Sequence, residues 1–151
     1  MLKILIGQWD KNKDLLKEEL SKIKNIEYRE LVKLTFNCIF NNNLPSNYKE
    51  LDIENITEID DGNYQGTLLY VIPFNVYQPA EYDYLMTYVG YGSCSGCDSL
   101  LSILGYKDNE KLSAYQINEL MSLCKDIITD TIKPFNNGWR KSDLFLEVGD
   151  L

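Results

Sequence analysis

The chain has 151 residues, 44% hydrophobic and 25% charged, with 23 acidic against 15 basic residues and a net charge of −8. That length suits one domain burying roughly two thirds of its unfolded surface, and the acidity argues against direct nucleic-acid binding, which needs clustered Lys and Arg to displace counterions. Histidine is absent, which excludes within these residues Ser-His-Asp and Cys-His catalysis and every zinc site that needs an imidazole.

Met1 to Asp10 hold too short an apolar run for a signal peptide. No stretch reaches the roughly 18 to 20 apolar residues of a membrane span. Four cysteines, at 38, 94, 97 and 124, are too sparse for a disulfide scaffold. A soluble, cytoplasmic protein with reduced thiols is therefore expected.

Asp10 or Asn12 is the expected cap of a first helix through Leu15, Leu16, Leu20 and Ile23, ending near Lys24-Asn25. A second helical pattern runs from about Glu27 to Phe40, with Leu31, Leu34, Thr35, Cys38 and Ile39 on neighbouring turns, and the two form a helical hairpin. Asn41 to Asn47 is a breaker cluster, read as a loop within one domain. From Leu51 the period changes to two, which predicts a strand through Ile53, Asn55 and Thr57 and a hairpin turn at Asp60-Asp61-Gly62-Asn63. A second strand spans Gln65 to Pro73 and a third Tyr82 to Tyr91, making an antiparallel three-stranded meander.

Seven of the eleven tyrosines (64, 70, 77, 82, 84, 88 and 91) fall in this sheet region. Tyr82, Tyr84 and Tyr88 can share one face with Met86, because strand side chains repeat every two residues. Two readings stand side by side: a tyrosine recognition surface, or tyrosines half-buried beneath the helices.

Between Gly90 and Leu100 comes the segment richest in chemistry, Tyr91-Gly92-Ser93-Cys94-Ser95-Gly96-Cys97-Asp98. Ser95 and Asp98 have the spacing of a capping box, which puts Cys97 in the first turn of a short helix through Leu104, stopped by Gly105. A Cys-x-x-Cys there suits a redox pair, two ligands of a zinc site completed by Cys38, Cys124 or carboxylates, a lone nucleophile, or simply a tight turn of small residues. The antiparallel strand before it and the missing second ligand pair favour the turn. Ser113 then caps a longer core helix through Ile117, Leu120, Met121, Cys124, Ile127, Ile128 and Ile132. Leu144 to Val148 form a possible added strand.

The string Tyr-Gly-Ser-Cys-Ser-Gly-Cys-Asp-Ser-Leu, preceded by Asp60 to Leu69 and followed by Met121-Ser122-Leu123-Cys124, resembles a group of small bacteriophage and prophage proteins sharing the YGSCSGCD motif. The likeness covers residues 55 to 130. It implies a setting, an accessory protein made in the cytoplasm of an infected bacterium, and brings no fold, activity or catalytic residue. Small acidic phage proteins often resemble inhibitors of host nucleases or CRISPR effectors.

The expectation is one α+β domain over residues 1–151: an N-terminal helical hairpin, a three-stranded antiparallel sheet, then a short and a long helix packed on one sheet face. The expected function is non-enzymatic and needs no cofactor: protein–protein binding to a basic host protein, as an anti-CRISPR-like inhibitor of a nucleic-acid-handling defence effector. Contacts are expected at Asp60, Asp61, Tyr64, Tyr82, Asp83, Tyr84 and Tyr88. The alternatives are a thiol or zinc module at Cys94, Cys97 and Cys124, and a phage structural or assembly component.

Overall fold

Leu5, Trp9, Leu16 and Leu20 recur at helical spacing and are all buried. That apolar stripe carries α1 back to Leu2, so the helix runs Leu2–Leu20 with Asp10 exposed in its middle instead of capping it. The computed structural model describes residues 2–63, 65–80, 82–92, 98–105 and 111–132. Along them α1 is followed by α2 (Tyr28–Ile39), β1 (Thr57–Asp60), β2 (Gly66–Pro73), β3 (Tyr84–Tyr91), α3 (Ser99–Leu104) and α4 (Ala114–Thr129), an α+β fold with helices packed on the sheet.

Asn12, expected as a cap of its own helix, caps the other end of its neighbour. It is 3% exposed, and its Nδ2 donates to the carbonyls of Ile39 and Asn42 at 2.8 Å each, while Gln8 Nε2 donates to Phe40 O at 3.0 Å and Asn42 O at 2.8 Å. The last carbonyls of a helix have no partner within it, and here two buried amides of α1 supply them. This fixes which way the Gln8 amide points: its oxygen, turned away from the carbonyls, is buried without a partner. Asn43 adopts a left-handed φ of 51° that an asparagine tolerates, and it donates to Asn12 Oδ1 at 3.0 Å.

The strand expected from Leu51 starts later. Ile53–Asn55 is a single 3-10 turn, held by Asn55 Nδ2 on Asp52 Oδ2 at 2.6 Å, and Leu51 makes only an isolated bridge to Phe74. A local side-chain bond outcompetes the ladder there. The three strands then pair in the order β1-β2-β3, both pairs antiparallel. In the turn between β1 and β2, a Cβ on Gly62 would stand 2.2 Å from the Gln65 carbonyl oxygen, so only glycine fits.

The core lies between one sheet face and the helices, with Tyr70, Ile72 and Leu85 of the sheet against Leu16, Leu31, Phe36 and Leu120 of the helices, all fully buried. Each such side chain contributes about 1.5–3 kcal/mol of transfer free energy. Thr87, also buried in β3, donates to the Ile127 carbonyl of α4 at 2.8 Å, and Ile132 closes an antiparallel bridge with Met86. Ser113 and Gln116 form the reciprocal capping box that starts α4. Asp98, not Ser95, caps α3: its Oδ1 accepts the Leu101 N–H at 3.0 Å, so the helix begins at Ser99 and Cys97 precedes it. The expected strand at 144–148 lies outside the described residues.

Candidate interaction surface

Alternation along β2 and β3 divides the sheet into two faces. Toward the helices point Leu68, Tyr70 and Ile72, in register with Val89, Thr87 and Leu85. The opposite face carries Leu69 and Val71 of β2, Tyr84, Met86 and Tyr88 of β3, and Thr57 and Ile59 of β1. Ile59 is 49% and Tyr88 48% exposed there, and Leu69, Val71, Tyr84 and Met86 are half-buried. This face is apolar and open among the described residues.

The expected contact residues divide over that frame. Tyr84 and Tyr88 share the open face with Met86. Tyr82 is exposed just before β3, and Asp83 beside it accepts the Ala80 N–H at 3.0 Å. Asp60 and Asp61 stand at the far end of the sheet, and the pairing of Asp60 with Leu68 turns its side chain to the helix side, away from the tyrosines. Tyr64 lies outside the described residues. The six described residues do not form one patch.

Two features escaped the sequence reading. Ile59 on the edge strand, 49% exposed, adds apolar surface to the open face. More decisive is charge: residues 50–106 contain nine Asp and Glu and no Lys or Arg, so the segment that builds the whole sheet holds the chain's entire excess of negative charge. Summing charge over the full length hides this run, whereas a local count reveals it.

On the helix side, between the start of α2, α3 and the sheet, a cleft of about 660 Å³ is lined by Tyr28, Glu58, Asp60, Leu68, Tyr91 and Asp98 among others. Tyrosine hydroxyls and carboxylates pair around it. Tyr28 donates to Asp98 at 2.6 Å, Tyr70 to Glu58 at 2.7 Å and Tyr91 to Asp60 at 2.5 Å. Burial first, and then the neighbouring carboxylate, raises the Tyr28 and Tyr70 hydroxyls above the ordinary tyrosine range. They are fixed as neutral donors, and the carboxylates are held in place as acceptors.

Tyr91 and Asp60 are coupled at the surface. The Asp60 carboxylate pushes the Tyr91 hydroxyl up to about 12, and Tyr91, followed by the Gly62 N–H, lowers Asp60 below the usual carboxylate range. Asp60 thus contributes stability above the ordinary carboxylate range that is lost as pH falls through its depressed value. Tyr91 contributes stability below its ordinary value of 10 that is lost as pH rises through about 12. Replacing Tyr91 with Phe should return the Asp60 titration toward ordinary values in a carboxyl-carbon NMR titration. An unmoved Asp60 would show that the pair does not exist in solution.

Cys94 and Cys97 lie outside the described residues. Cys124 is buried on α4 and Cys38 on α2, and both are free thiols. Burial pushes Cys38 up to about 11 and Cys124 up to about 12. Among the described residues no group of three or more His, Cys, Asp or Glu is placed to hold a metal ion. At pH 8 both thiols are protonated and shielded, so peptide-resolved alkylation should leave Cys38 and Cys124 unlabelled in the folded chain while labelling them fully in denaturant. Rapid labelling of either without denaturant would contradict this packing.

No helix among the described residues is long and apolar enough to cross a membrane. Compared with protein-family models, curated proteins and solved structures, the chain matches none.

Proposed function

We propose that the chain is a non-enzymatic binding protein that docks its acidic sheet onto a basic protein partner. The observation that carries this reading is the open apolar sheet face, Ile59, Leu69, Val71, Met86 and Tyr88, within a segment of nine carboxylates and no cation. An uncovered apolar face is the ordinary mark of an interaction site. A field of one sign steers a partner of the opposite sign and repels nucleic acid. The partner class that satisfies both is a basic protein, and proteins that hold nucleic acid are the most basic in a bacterial cell. With the resemblance of residues 55–130 to phage proteins, the reading extends to an accessory inhibitor of a nucleic-acid-handling defence effector, acting in the cytoplasm of an infected bacterium.

The test is capture from bacterial lysate on the immobilised full chain at low salt, followed by a salt gradient. The expected product is a basic protein released by about 0.2–0.5 M salt, where screening shortens to a few ångströms. A captured protein that is acidic, or that stays bound through the whole gradient, would overturn the reading.

A further inference from the structure

Among the described residues the outer edge of β1 carries no strand, and it has the geometry of a strand acceptor. Strand β1 is the outermost of the three, and all four of its residues are exposed. Asp61 N–H donates to Thr67 O at 3.2 Å, one step beyond the Asp60 to Leu68 pair. Because ladder bonds alternate along an antiparallel pair, the backbone groups of Thr57 and Ile59 face β2, and those of Glu58 and Asp60 face outward. Arg29 Nη2 takes the next outward carbonyl, Ile56 O, at 2.9 Å, which closes that end of the edge. The open length is Glu58 to Asp60.

The side chains specify what can lie there. Glu58 and Asp60 point to the same face, each oriented by a tyrosine hydroxyl, while Ile59 projects to the opposite face and is 49% exposed. A second copy of this chain pairing antiparallel about Ile59 would set Glu58 against Asp60 twice, and like charges directly opposite are destabilising. Edge strands use such charges to prevent self-pairing. A strand with Lys or Arg at alternate positions and an apolar residue between them meets the opposite condition at every position.

We infer that β1 receives an extended basic segment of the partner by strand addition, with basic side chains opposite Glu58 and Asp60 and an apolar side chain beside Ile59. This rests on the proposed docking function and names the element that makes the first backbone contact. Strand addition draws affinity from main-chain bonds and specificity from alternate side chains.

The test uses the full chain and a synthetic peptide, acetyl-Lys-Val-Lys-Val-Lys-Val-Lys-amide, with two further versions N-methylated on either the lysines or the valines. Charge and composition hardly differ among the three, but each methylation removes the N–H donors of one edge of the strand. At low salt the parent should bind and shift the amide resonances of Glu58 and Asp60. One methylated version should bind about tenfold or more weakly, and the other should match the parent. Equal binding by both methylated versions, or no binding by the parent, would overturn strand addition. Salt-sensitive capture of a basic protein from lysate would still stand in that case, so the two failures are distinguishable.

Discussion

Replacing Asn12 with alanine is expected to destabilise the fold by about 2–4 kcal/mol, read as a lower midpoint in denaturant with an unchanged slope. The asparagine is 3% exposed and makes three bonds: its Nδ2 donates to Ile39 O and Asn42 O at 2.8 Å, and its Oδ1 accepts from Asn43 at 3.0 Å. Alanine leaves the buried Ile39 carbonyl at the end of α2 and the part-buried Asn42 carbonyl just beyond it partly unpaired, and it also opens a small void. Gln8 still reaches Asn42 O, and Ile39 O at 3.4 Å, which keeps the loss from being larger. Asn12→Asp provides the control. It keeps the shape but sets acceptors against acceptors, so it should be at least as damaging as alanine. If aspartate were tolerated, the carbonyl cap would not be what holds α1 to α2.

The second large effect concerns binding. Asp60→Asn combined with Asp61→Asn should weaken association with the captured partner by about tenfold or more at low salt while leaving the fold nearly unchanged. Asparagine retains the Oδ1 that accepts from Gly62 N, Thr67 N and the Tyr91 hydroxyl, so the turn keeps its bonds and loses only its two charges. The gap between variant and parent should close as salt rises and the Debye length falls below about 5 Å. A gap that persists at high salt would assign the loss to altered turn geometry, and an affinity equal to the parent's would remove these carboxylates from the interface.

Much of the framework was legible because packing and local pattern agreed. Ser113 with Gln116, the apolar spacing of α4, the breaker at Asn41-Asn42-Asn43 and the two-residue alternation of β3 each pointed to the element that forms. Where they failed, a tertiary contact or a local side-chain bond won. Leu5 and Trp9 extend α1 upstream because they find a core, which Gly7 and the nearby charges disguise in sequence. Asp52 diverts an alternating stretch into a 3-10 turn.

The site was only half legible, for a different reason. Alternation grouped Tyr82, Tyr84 and Tyr88 with Met86; β3 begins at Tyr84 and leaves Tyr82 before it, and alternation could not show that register turns Asp60 to the other face. Nor could it show that Tyr28 and Tyr70 spend their hydroxyls on Asp98 and Glu58 instead of a partner, since those bonds join residues brought together only by the fold. The cation-free run from 50 to 106 needed no structure at all. The predicted strands already fall within it; what the fold adds is that one face of that sheet is apolar and open among the described residues.

That the cation-free sheet segment is the docking face for a basic partner is tested most directly by the association rate with the captured partner across ionic strength. The rate should fall by about tenfold or more between roughly 0.02 and 0.5 M salt, as electrostatic steering is screened. A rate that stays flat over that range would contradict it.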